Sequence, residues 1–195
     1  MAFVAAEGER GIHNRVEAFR QRKLNDPDDN PPFYLMTTRL DLVNDINELV
    51  ADIKAQLPQS NNGRCAGIVL DTLNRTIHGS ENKDHDMGAY REAADRLREE
   101  FCCTVIIIHH CGIDGTRPRG HTSLTGAVDT QLAAKRDDQK RVIVTLELMK
   151  DGPEGDIIAS RLEVVDIGDD DNGEPSAAVW SSPTRAVNQT AKNGN

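Results

Sequence analysis

Residues 104–110 read Thr-Val-Ile-Ile-Ile-His-His, a branched apolar run that stops at two imidazoles. Such a run is too short for a stable helix and suits a strand buried on both faces, as in a parallel sheet. Upstream, the run 68–70 stops at Asp71, and the run 3–6 stops at Glu7 in the same way. Helical patterns separate them. Ile12, Val16 and Phe19 share a face of a helix expected over 9–24, and Met87, Tyr90, Ala94, Leu97 and Phe101 share a face over 86–101. The strongest stripe, Leu42, Ile46, Leu49, Val50, Ile53 and Leu57, predicts a helix over 41–57, ended by Pro58. Residues 33–36 form a further short strand candidate. Strands alternating with helices in this way predict an α/β fold, a mainly parallel sheet flanked by helices.

Beyond residue 110 the pattern changes. The segment 111–126 is rich in Gly, Thr and Arg and is expected as a long surface loop, a kind of loop that often carries function. From residue 128 the apolar period becomes two. Val142, Val144, Leu146 and Leu148 alternate with other residues, as do Ile158, Leu162 and Val164 after the turn KDGPEGD, which predicts a C-terminal β-hairpin of 141–149 and 157–165 extending the sheet at one edge. The expected domain is therefore 1–167. The acidic and polar stretch 168–195 offers little to a core beyond Val179 and Trp180 and is expected as a mostly disordered tail.

The chain has 195 residues and a formal net charge of −9, which excludes a broad basic groove for nucleic acid and leaves only local basic segments for such a contact. Its N-terminal apolar run is broken at Glu7, too early for a secretory leader, and no stretch reaches the length of a membrane span, so a cytoplasmic protein with no membrane partner is expected. Cys65, Cys102, Cys103 and Cys111 lack the paired spacings of a zinc ribbon and read as reduced core thiols.

Three strands that each end in an ionisable group place Glu7, Asp71 and His109 or His110 along one edge, because ligands of open α/β sheets bind outside the carboxyl ends of the strands. Aliphatics followed by Asp71 and Thr72 form a Walker B arrangement, in which a buried strand holds a carboxylate against Mg²⁺. Glu7, on a neighbouring strand, suits the general base of phosphoanhydride hydrolysis. Each residue also has a plainer reading. His109 and His110 point to opposite faces of an extended strand, so only one can serve a shared site. Arg117 and Arg119 can be solvated loop charges, and Lys150 before Asp-Gly suits a hairpin turn.

The ordered motifs VAAEG (4–8), VLDTLNR (69–75), VIIIHHCG (105–112), RGHTSLTGAVDT (119–130) and KDGPEG (150–155) resemble those of RecA-like AAA-family ATPases of the RepA helicase type, common in plasmids and phages, over 3–165. The resemblance implies ATP and Mg²⁺ as cofactors, Glu7 as the carboxylate that activates water, and Asp71, with Thr72, as the Walker B contact to the metal. It implies His109 or His110 as sensor of the γ-phosphate, Arg117, Arg119 and His121 on a loop facing DNA, and Lys150 as a finger reaching a neighbouring subunit's nucleotide. The implied partners are single-stranded DNA and further copies of the chain, with a hexameric ring as one form of the full-length assembly. The family's phosphate loop, GxxxxGK[ST], belongs upstream of VAAEG, and the 195 residues contain no such motif. The expectation is therefore the carboxyl portion of a longer ATPase, without the phosphate-loop strand and helix and inactive alone. The alternative is a non-catalytic RecA-like interaction module.

Overall fold

The computed structural model describes residues 1–26, 29–57, 64–110, 126–169 and 173–184. They divide into two compact units, one of Met1–Ile12 and Asp28–Ala127, the other of His13–Pro27 and Val128–Asn195. The chain starts with β1 (Ala2–Ala5) and α1 (Glu9–Lys23), and the division falls within α1. The first unit continues with β2 (Tyr34–Met36), α2 (Ile46–Gln56), β3 (Gly67–Asp71), α3 (Leu73–Thr76), α4 (Asp84–Phe101) and β4 (Thr104–Ile108). Its four strands form a parallel sheet in the order β2-β1-β3-β4. The predicted α/β class and its flanking helices are therefore present.

Ala2 and Val4 of β1, Ile68 and Leu70 of β3, and the inward faces of α2 and α4 make one continuous core, in which Leu42, Leu70, Leu73, Tyr90 and Leu97 have no solvent exposure. Two expectations need correcting here. The α2 helix starts at Ile46 rather than at residue 41, because the Asp41 carboxylate accepts the Val43 and Asn44 amides at 3.1 and 3.2 Å and closes a local turn instead. Among the described residues strand β4 is covered on one face only: Val105 and Ile107 pack on the core, whereas Ile106 and Ile108 are 48% and 37% exposed. Among the described residues β4 is an end strand, with β3 its only neighbour.

The cysteines differ among themselves. Cys65 is buried, and burial pushes the half-buried Cys103 thiol up to about 11, with neighbouring Cys65 adding to the shift. Cys102 is no core thiol: it sits exposed at the left-handed C-cap of α4 with φ 46. Cys111 lies outside the described residues.

In the second unit, β5 (Thr130–Arg136), β6 (Val142–Met149), β7 (Ile157–Asp169) and β8 (Pro175–Thr184) form an antiparallel sheet in sequence order. The predicted hairpin exists as β6 and β7, with Val144 opposite Ile158. It forms the centre of this separate sheet rather than an edge of the parallel one, since antiparallel strands joined by short turns pair with their sequence neighbours. The expectation of a mostly disordered tail is corrected over Pro175–Thr184, which pairs with β7 along ten register positions, Val165 opposite Ala178. The buried parity of β7 is Ala159 and Val165, while Ile158 and Val164 are exposed. Ala18 of α1 closes a small core with Val165 and Ala178, against which Ile167 and Trp180 pack. No helix among the described residues is long and apolar enough to cross a membrane.

Candidate active site

The parallel register fixes where the strand ends lie. Ala5 pairs with Asp71, Asp71 pairs with Ile108, and the Ala6 amide donates to the Asp71 carbonyl at 2.7 Å. Glu7, Asp71, His109 and His110 thus follow three adjacent strands at one carboxyl-terminal edge. Gly8, with φ 73, turns the chain from β1 into α1 and leaves Glu7 in that turn, a backbone angle that a residue with a Cβ adopts at a cost.

Thr72 is held more firmly. It caps α3, and its carbonyl accepts the Thr76 hydroxyl at 3.0 Å and the Arg75 amide at 3.0 Å. Leu73, fully buried, pins this turn to the core, and the Thr76 hydroxyl also shares a 2.9 Å hydrogen bond with Tyr90. Burial raises the Tyr90 phenol to about 12, so it stays protonated in this contact. The Asp71–Thr72 peptide is cis.

Around Glu7 the side chains converge on one oxygen. The Thr72 hydroxyl donates to Oε2 at 3.2 Å, Arg75 Nε lies 3.7 Å from it, and His110 Nε2 lies 3.8 Å from it. Among the described residues Oε1 has no hydrogen-bond partner, which leaves it able to accept a proton from a water. Of the two imidazoles, it is His110 that approaches Glu7; His109 is half-buried one residue earlier.

Arg75 was missed in the sequence, although it stands in the quoted VLDTLNR. Its signal is the spacing from Thr72 to Arg75, which brings both side chains to one side of a single helical turn. Asp71 and Thr72 at the end of a rigid strand offer hard oxygen donors of the kind Mg²⁺ takes when nucleotide phosphates and waters complete its shell. Among the described residues no group of three His, Cys, Asp or Glu side chains forms a cage able to hold an ion alone.

Lys150 belongs to the second unit, in the turn after β6. Its side chain is 68% exposed and its ammonium lies 3.4 Å from the Asp129 carboxylate. Arg117, Arg119 and His121 lie outside the described residues.

A parallel sheet with helices and strand-end carboxylates is the architecture of RecA-like ATPases. The crystal structure of the RadB recombinase is similar to this chain in fold, with a TM-score of 0.57 and 19% identity over 83% of this chain and 74% of that one. The profile of a family described as an AAA domain matches residues 1–116, and the chain belongs to that family. No curated protein matches the sequence.

Proposed function

We propose that this RecA-like domain couples ATP hydrolysis to binding or translocation of single-stranded DNA within a homo-oligomer, in the manner of RepA-type replicative helicases. The observation that carries the reading is the pair of carboxylates, Glu7 and Asp71, after adjacent parallel strands, with the buried Thr72 hydroxyl on Glu7 at 3.2 Å. Mg²⁺ bound with ATP would supply charge neutralisation at the phosphates. Asp71 is its protein ligand, and Thr72 orients Glu7. Glu7 takes the proton of the attacking water through Oε1, while Arg75 and His110 hold Oε2. His110 is the better placed of the two histidines to sense the γ-phosphate through the same carboxylate. Lys150 acts in trans, and Arg117, Arg119 and His121 face the DNA.

Because the 195 residues contain no GxxxxGK[ST], the chain alone is expected to hydrolyse little ATP, and a fusion carrying such a loop upstream is expected to turn over with Mg²⁺. In that fusion Asp71→Asn weakens metal-dependent nucleotide binding, whereas Glu7→Gln leaves binding intact and lowers turnover by about 10²–10⁴. Lys150→Ala subunits mixed with Glu7→Gln subunits recover activity if the finger reaches a neighbour. Full turnover by Glu7→Gln would remove the base assignment, and no recovery in confirmed mixed oligomers would remove the trans role of Lys150.

Exposed Ile106 and Ile108 on the end strand β4 favour a second reading, a non-catalytic module that packs onto another protein. Absence of nucleotide binding by the fusion, together with association lost on Ile106→Lys, would establish it.

A further inference from the structure

In a chain of net charge −9, the sequence of α1, Glu-Arg-Gly-Ile-His-Asn-Arg-Val-Glu-Ala-Phe-Arg-Gln-Arg-Lys, is locally basic. The Ile12, Val16 and Phe19 face expected from the sequence does not all pack inward. Ala18 is the residue buried against β7 and β8, and Phe19 is 42% exposed. Arg15, Phe19, Arg22 and Lys23 stand at helical positions i, i+4, i+7 and i+8, so they form one exposed stripe. Beside it on β8 lies Trp180, its ring 5.7 Å from that of Phe19, with the Lys23 ammonium 5.5 Å from the indole centroid. Among the described residues neither Arg15 nor Arg22 has an ion pair, while Arg20, off this stripe, lies 4.0 Å from Glu17. Glu163, opposite Trp180 in the ladder, is engaged by the Ser182 hydroxyl.

We propose that this stripe binds single-stranded nucleic acid, with Arg15, Arg22 and Lys23 on its phosphates and Phe19 and Trp180 as the platform for bases. Cations interleaved with aromatic rings are what a single strand requires, since every base offers a stacking face and every linkage a charge. The stripe from Arg15 to Arg22 spans seven residues, about 10.5 Å at the helical rise, close to three nucleotides at the rise of one strand. Favourable interaction of last-turn cations with the helix dipole accounts for Arg22 and Lys23 but not for Arg15 two turns earlier, nor for two rings beside them. The surface lies wholly in the second unit, whereas Glu7 and Asp71 belong to the first.

Trp180 is the single tryptophan of the chain, so its emission reports on this surface alone. Titration of the full chain with an oligothymidylate of about sixteen nucleotides is expected to quench it. The logarithm of affinity is expected to fall against the logarithm of salt with a slope of about −2, from three phosphates at about −0.7 each. Combined Arg15→Ala, Arg22→Ala and Lys23→Ala is expected to lower affinity about a hundredfold at 0.1 M salt and to flatten the slope. Phe19→Ala is expected to lower it about tenfold with the slope kept. Lys135→Ala with Arg136→Ala, exposed cations elsewhere on the unit, leave both quench and affinity unchanged. Strand binding that leaves Trp180 emission unaltered, or that is lost only with Arg117→Ala and Arg119→Ala, would overturn the proposal while leaving the loop reading intact. Equal quenching by heparin would reduce the surface to a general polyanion site, and binding to phosphatidylserine vesicles in place of the oligonucleotide would assign it to lipid; either result overturns the proposal.

Discussion

In the parallel unit, β1 and β3 carry side chains buried on both faces, and α2, α3 and α4 add Leu49, Ile53, Leu73, Tyr90 and Leu97 to one continuous core. In the antiparallel unit, the buried apolar residues described are Ala18, Ala159, Val165 and Ala178, and Ile158, Val164 and Leu132 stay 64%, 73% and 62% exposed. Among the described residues each unit has four strands. The difference lies in what covers the sheets: helices with long aliphatic stripes in one, a single basic helix offering one alanine in the other. Strand number alone therefore says little about how much apolar surface a sheet buries, and resistance to unfolding should follow the covering helices.

The sharpest break of this comparison is a matched pair of truncations. Leu97→Ala, at a fully buried position, is expected to destabilise the parallel unit by about 2–5 kcal/mol in urea unfolding followed by far-UV circular dichroism. Val165→Ala, at 3% exposure, is expected to cost less, about 1.6 kcal/mol from two lost methylene equivalents at ~0.8 each, read through Trp180 fluorescence. A Val165→Ala cost equal to that of Leu97→Ala would show that the small core is as demanding as the large one.

Tyr90→Phe isolates the polar contact behind the site. Deleting the phenol leaves the Thr76 hydroxyl with its bonds to the Thr72 and Leu73 carbonyls, at 3.0 and 3.3 Å, so a loss of about 1 kcal/mol is expected. A much larger loss would mean that Tyr90, rather than Leu73, anchors the Thr72 turn. The smallest effect is expected at Asp41. Burial acts to raise its pKa, but the Asn44 amide, the 2.5 Å contact with His78 and the Asn44 side chain outweigh it, so the carboxyl lies below its ordinary 3.8. A depressed carboxylate contributes stability above its unfolded pKa and loses that contribution as pH falls through the folded value. Asp41→Asn should therefore be less stable than the parent at pH 7, and the gap should close below about pH 4, the range of an unperturbed carboxylate. A gap independent of pH would assign the role of Asp41 to turn geometry alone.

The sequence by itself located the four parallel strands and the helices α1, α2 and α4, though not the late start of α2 or the short α3. Apolar runs bounded by polar residues at 3–6, 68–70 and 104–108 have few alternatives to strands, and strands that end alike must end together when every crossover is parallel. That logic also puts Glu7, Asp71 and the histidines at one edge. The period of two likewise located β6 and β7. Only the tertiary structure decided which parity of β7 is buried, because Ala159 and Val165 look no more apolar than Ile158 and Val164 until α1 lies on one side. Only it separated the antiparallel sheet from the parallel one, ordered Pro175–Thr184 and brought Trp180 beside Phe19. It alone set Arg75 and His110 on the same oxygen of Glu7. Local pattern records what a segment can bury. Which partner buries it, and which polar groups then meet, depends on contacts between residues distant in the chain, where no periodicity carries the information.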